Sequence, residues 1–211
     1  KPYIRAHADE LIESLAALIR IPSVEGTPED GAPYGREVAR CLEEALALGR
    51  RMGFRTHNID GRVGWCEYGE GDEMVAVLSH LDVVPAGDGW AEAGPFSGEV
   101  KNGRIYGRGA MDDKGPAVAS LYALAALKEA GFAPSRRIRI LFGTNEETGC
   151  GDMAWYREHG GEMPAMGFTP DGEYPIINGE KGIMNCTYAR RLHQTGAYRL
   201  TRFEGGTASN V

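Results

Sequence analysis

The residues best placed to do chemistry fall in three short stretches: Ser79-His80-Leu81-Asp82, Ala110-Met111-Asp112-Asp113-Lys114-Gly115 and Thr144-Asn145-Glu146-Glu147-Thr148. Asp171, within Thr169-Pro170-Asp171-Gly172, adds a further carboxylate. Imidazole and carboxylate together suit a zinc-like divalent ion, and a shared carboxylate can hold two such ions side by side. Ions held in this way activate water, so hydrolysis is the reaction class these residue types favour.

Each signal has an ordinary explanation when taken alone. An isolated His-x-Asp is more often a core histidine satisfied by hydrogen bonds. Asp112-Asp113 ahead of an apolar helix reads as helix capping. Glu146-Glu147 reads as a solvated loop and Asp171 as a turn former. Jointly the balance reverses, because burying one His and several acids at one place without cations is very costly. On an extended segment His80 and Asp82 share a face, so His80 can bind metal through one ring nitrogen while Asp82 fixes the other. Close placement of Glu146 and Glu147 raises one pKa, as a general base working near neutral pH requires.

Positioning these groups requires a scaffold, and the hydrophobic pattern supplies one. Leu11, Leu15, Leu18 and Ile19 recur at helical spacing until Pro22, and Val38, Leu42, Ala45, Leu46 and Gly49 mark a second helix. Residues 25–35, rich in Gly, Pro and acid, read as a loop. Strands are expected at Arg55–Ile59 and Val63–Tyr68 around an Asp60-Gly61 turn, and at Gly98–Lys101 and Arg104–Tyr106 around Asn102-Gly103. Met74–Leu78 is continuously apolar, as in a strand covered on both faces, and Arg137–Phe142 is strand-like again. Gly115–Ala130 is apolar nearly all round, which predicts a buried helix opened by Asp112. A helix over Gly151–His159 and strands near Ala165–Thr169 and Tyr174–Asn178 follow.

Alternating strands and helices imply an α/β fold, a sheet with helices on both faces. Ligands of such sheets gather beyond the carboxyl ends of the strands, where His80, Glu146 and Asp171 are expected.

Composition sets the outer bounds. The chain has 211 residues, 42% hydrophobic and 25% charged, ordinary values for a globular protein with a real core. Its net charge of −7 is spread along the sequence and argues against a nucleic-acid partner. Cys41, Cys66, Cys150 and Cys186 are far apart and form no Cys-x-x-Cys pair, so a reducing, cytoplasmic setting is expected. No apolar run approaches the roughly 20 residues of a membrane span, and because Lys1-Pro2-Tyr3 leads straight into an amphipathic pattern, no signal peptide is expected in these residues.

The order His80-Leu81-Asp82, Gly107-Arg108-Gly109-Ala110-Met111-Asp112-Asp113-Lys114-Gly115, Glu146-Glu147 and Asp171 closely resembles the M20 family of metallopeptidases and deacylases. More narrowly, His80–Trp90 (HLDVVPAGDGW), Gly107–Pro116 (GRGAMDDKGP) and Phe168–Gly182 (FTPDGEYPIINGEKG) resemble the PepV-type dipeptidases.

The resemblance implies a mixed, mainly parallel zinc-peptidase-like catalytic domain over residues 1–182. The start of an inserted α+β lid domain would follow over 183–211. It implies hydrolysis of dipeptides or other small peptides, with two Zn²⁺ ions per complete site and Mn²⁺ or Co²⁺ tolerated. By the same likeness His80 is a ligand of one ion, Asp82 orients it, Asp112 bridges both ions, and Asp171 joins the His80 ion. Glu147 then belongs to the second ion, and Glu146 is the general base. Neither the family's second-site His nor the lid residues that reach substrate have a match in the chain. His7 and His57 come early, His159 falls in a predicted helix, and His193 lacks the expected context. An N-terminal portion, inactive alone, is therefore expected, with a homodimer through the lid as the assembly that relatives often adopt. The alternatives are an M20-type deacylase of N-acyl amino acids and a non-catalytic metal-binding module.

Overall fold

In the computed structural model, which describes residues 1–172 and 175–179, the predicted periodicities become four helices and seven strands among those residues, and a short unpredicted helix precedes them. In chain order they are α1 (Pro2–Ala6), α2 (Ala8–Ile19), α3 (Arg36–Arg51), β1 (Arg55–Ile59), β2 (Val63–Tyr68), β3 (Met74–His80), β4 (Glu99–Lys101), β5 (Arg104–Tyr106), α4 (Lys114–Glu129), β6 (Arg137–Gly143), α5 (Gly151–Glu158) and β7 (Met166–Phe168). The chain divides into two units, Lys1–Gly172 and Glu173–Val211, and all of these elements belong to the first.

Both hairpin turns form as the sequence predicts. Asp60 and Gly61 have φ of 52° and 66°, and Asn102 and Gly103 have φ of 53° and 71°. Positive φ at both central residues matches the right-handed twist of the flanking strands, which is why Asp-Gly and Asn-Gly occur there.

The main sheet runs β1-β2-β6-β3-β7. β1–β2 and β2–β6 are antiparallel, while β3–β6 and β3–β7 are parallel. Four strands therefore share one direction and β2 alone opposes them, giving the mixed, mainly parallel sheet expected. Strand alternation divides the core between two faces. Cys66, Val77, Ile140 and Phe142 pack with Leu18, Ile19, Leu42, Leu46 and Leu121 of α2, α3 and α4. Val63, Met74, Ala76 and Leu141 face the other way, against Met153 and Tyr156 of α5. Each fully buried Val, Leu, Ile, Phe or Met among them contributes about 1.5–3 kcal/mol by leaving water.

Three expectations need correction. The fourth helix is not buried all round: Ala119, Ala123 and Leu127, spaced four apart, form an exposed stripe. Alanine is apolar yet small, so its presence marks no particular face. That helix spans Lys114–Glu129, one residue ahead of the expected Gly115–Ala130, and the residue that opens it is Asp113 and not Asp112. Residues 175–179 form no strand, so the one predicted near Tyr174–Asn178 is absent over those residues. The expected lid over 183–211, like Cys186 and His193, lies outside the described residues.

Candidate active site

Register explains why residues far apart in sequence meet. In the parallel β3–β6 pair His80 lies opposite Gly143, so His80–Asp82 and Thr144–Glu147 leave the sheet at the same edge. Val77 lies opposite Phe168 in the β3–β7 pair, and three further residues bring Asp171 level with His80. Helix α4 starts at this edge too, because the Asp113 carboxylate accepts the backbone N–H of His80 at 3.0 Å.

His80 is buried at the centre. Its Nε2 lies 3.0 Å from Asp112 Oδ1, 3.5 Å from Asp171 Oδ2 and 3.9 Å from Glu146 Oε2. Nδ1 lies 3.0 Å from the carbonyl oxygen of Asp82 and 3.4 Å from its carboxylate. Three carboxylates thus converge on one ring nitrogen, while Asp82 holds the other. Among the described residues, ligand atoms of His80, Asp112 and Asp171 lie within 4.8 Å of one another. One imidazole nitrogen and two carboxylate oxygens so disposed fit a divalent ion. Glu147 stands apart from that trio, its Oε1 accepting the backbone N–H of Val84 at 3.2 Å.

The loop carrying both glutamates is held by its backbone. Thr144 and Asn145 donate their N–H groups to Asp152 Oδ2 at 2.6 and 3.1 Å. The next two amides, of Glu146 and Glu147, go to Asp82 Oδ1 and Oδ2 at 3.1 and 3.0 Å. Four consecutive amides therefore end on two buried carboxylates. Asp82 has a double office, steadying His80 and fixing the placement of Glu146 and Glu147.

Crowding of acids shapes the electrostatics. Burial pushes the Glu146 carboxyl above its ordinary range, and the charges of Asp171, Asp82 and Asp112 add to this while His80 opposes it. Burial and the charge of Asp112 raise Glu147 likewise. The hydrogen bond to His80 lowers Asp112. Burial alone would lower the His80 imidazole, but its hydrogen bonds to Asp112 and Asp82 prevail and push it up to about 11. A divalent cation relieves such mutual repulsion, which is the second respect in which these residues fit a metal.

All six residues singled out from the sequence lie at this one edge: His80, Asp82, Asp112, Glu146, Glu147 and Asp171. Two contributors escaped that reading. Asp113 resembles a helix cap, yet it makes no side-chain capping bond and turns to His80 instead. Asp152 sits in the first turn of α5, where an acid is unremarkable. Only its bonds from the Thr144 and Asn145 amides reveal its role in holding the loop.

A model of the peptidase family M20/M25/M40 matches residues 76–209, a span that includes all six of these residues. The chain belongs to that family. Among its M20 relatives, the Beta-Ala-Xaa dipeptidase of Lactobacillus delbrueckii subsp. lactis is 40% identical over 215 residues, covering 100% of this chain and 45% of that protein. The YtjP protein of Bacillus subtilis (strain 168) is 48% identical over 181 residues, covering 85% of this chain and 39% of that protein. This chain thus spans less than half the length of these curated relatives. Of the solved structures, human carnosine dipeptidase 1 superposes with a TM-score of 0.67 at 25% identity, over 82% of this chain and 40% of that one. The M20 family metallo-carboxypeptidase Sso-CP2 from Sulfolobus solfataricus shares the fold, with a TM-score of 0.60 at 24% identity over 71% of this chain and 34% of that one.

Proposed function

We propose that the protein is a metal-dependent dipeptidase, or the part of one that carries the general base and the first metal site. The observation that carries this reading is the convergence of Asp112, Asp171 and Glu146 on His80 Nε2. His80, Asp112 and Asp171 would hold one divalent ion, and Glu147, with Asp112 between the two, would serve a second. When bound, such ions acidify water and polarise the scissile carbonyl. Zn²⁺ is the first candidate, and Mn²⁺ or Co²⁺ also suit this donor set.

The chain's own residues supply the proton handling. Glu146 takes the proton of the attacking water, a role served by its raised pKa, and returns it to the leaving amine. Asp82 keeps both His80 and Glu146 in place. Relatives named as dipeptidases support peptides as substrates, including those with an amino-terminal β-alanine. Among the described residues no helix is long and apolar enough to cross a membrane. Cys41, Cys66 and Cys150 are free thiols, which fits a reducing, cytoplasmic setting.

The test is to measure bound metal by elemental analysis and hydrolysis of a β-alanyl dipeptide beside an N-acyl amino acid. Metal bound by the parent and lost in Asp112→Ala, with turnover of the dipeptide alone, is the expected result. Turnover confined to the acyl substrate would transfer the assignment to a deacylase. Metal without turnover of either substrate, even in the longest natural chain containing this sequence, would leave a binding module.

A further inference from the structure

Lys114 is fully buried, among the largest side chains of the described residues to be so. A buried ammonium with no carboxylate in hydrogen-bond contact needs an explanation. Its Nζ donates to the carbonyl oxygens of Leu18 at 2.9 Å and Ile21 at 2.8 Å. The first belongs to the last turn of α2, where carbonyls lack helical partners and the helix dipole is negative. The second lies in the segment that leaves α2.

That segment continues directly to the metal edge. Two residues beyond Ile21, the Ser23 hydroxyl donates to the carbonyl of Leu81 at 2.6 Å, and the Ser23 carbonyl accepts the N–H of Val83 at 3.0 Å. Leu81 and Val83 flank Asp82. On its other side Lys114 adjoins Asp113, which takes the His80 N–H, and lies two residues from Asp112. The turn bearing Asp112 is packed on the same platform. A Cβ at Gly107 would collide with Ile19, and one at Gly109 would meet the Lys114 stem at 2.9 Å and Val83 at 3.0 Å. Beside the direct bond of Asp113 to the His80 N–H, Lys114 and the strap Leu18–Ser23 therefore form a second continuous connection that touches both the Asp112 turn and the His80–Asp82 segment.

We infer that Lys114 is a positioning residue for the metal centre. Through Leu18, Ile21 and Ser23 it fixes the distance between Asp112 and His80, and so sets metal affinity without touching the metal. This rests on the reading of the site as a metal centre.

Zinc titration against a chromophoric chelator tests it. Lys114→Met keeps a stem of similar length and removes the donors, and it weakens zinc binding by about tenfold or more, as loss of an outer partner of a ligand does. Ser23→Ala, which removes the hydroxyl bond to Leu81 together with a side-chain bond to Cys41, weakens it in the same direction and serves if Lys114→Met does not fold. Leu124→Ala, a core change in the later half of α4, lowers the melting temperature yet leaves zinc affinity within twofold. Parental affinity in Lys114→Met, or in Ser23→Ala where Lys114→Met does not fold, overturns the inference. So does an equal loss of affinity in Leu124→Ala, which would reduce the effect to general destabilisation. A parent chain that binds no zinc removes the metal reading and this inference together.

Discussion

Asp113 accepts the backbone N–H of His80 at 3.0 Å, so a residue that should cap α4 instead closes the end of β3. Burial raises the Asp113 carboxyl to about 7, which shows how unfavourable its charged form is there. Asp113→Ala leaves a buried amide without an acceptor and costs about 1–3 kcal/mol. Asp113→Asn retains a carbonyl acceptor and sheds the disfavoured charge, so it loses clearly less. Urea denaturation of both variants decides the matter, and equal losses would count against the bond to His80.

Gly115 follows Lys114 in the first turn of α4, and a Cβ there would overlap the carbonyl oxygen of Ala110. Gly115→Ala must push the turn that carries Asp112 away from the helix. The variant folds, but its zinc affinity drops at least about tenfold, the scale seen when support of a ligand is lost. Isothermal titration with zinc measures this directly, and parental affinity would mean the turn can yield without moving Asp112.

Glu146→Gln removes the proton acceptor while leaving the amide that binds Asp82 in place. Metal content stays at the parental value and dipeptide turnover falls by about 10²–10⁴, the usual contribution of a general base. A steady-state assay paired with elemental analysis separates the two effects. Loss of metal in step with turnover would make Glu146 a ligand and leave the base unassigned.

Away from the site, the Arg137 hydrogen bond first, and the charge of Arg139 with it, hold the Glu162 carboxyl below its ordinary value. A depressed folded-state pKa contributes stability that is fully present above the unfolded value of about 4.3 and is lost as pH falls through the folded one. Glu162→Gln is therefore less stable than the parent at pH 7, and the difference closes as the pH drops below about 4. Melting temperatures across pH 3 to 7 test the convergence. A difference that persists unchanged at pH 3 would show that the ion pairs are not its source.

The sequence made the site legible because metal chemistry demands particular residue types, and β3, β6 and β7 announce themselves as apolar runs ending in His80, Glu146 and Asp171. Strand lengths and hairpin turns were legible for the same local reasons. What stayed hidden depends on contacts between distant segments. Asp113 and Asp152 look like ordinary helix-end acids, and only the folded chain shows which amides they take. Nothing in the sequence singles out Lys114, whose carbonyl partners lie about a hundred residues earlier. The fourth helix misled through alanine, whose small side chain is tolerated on either face.

The grip of Asp82 and Asp152 on four successive amides separates where a group stands from what that group is. Peptide N–H groups are the same whatever side chain they carry, so positions 146 and 147 keep their location when their residues are exchanged. The loop is in this sense a socket: chemistry can be swapped at its tip, by natural variation or by an engineer, without rebuilding the sheet edge beneath it.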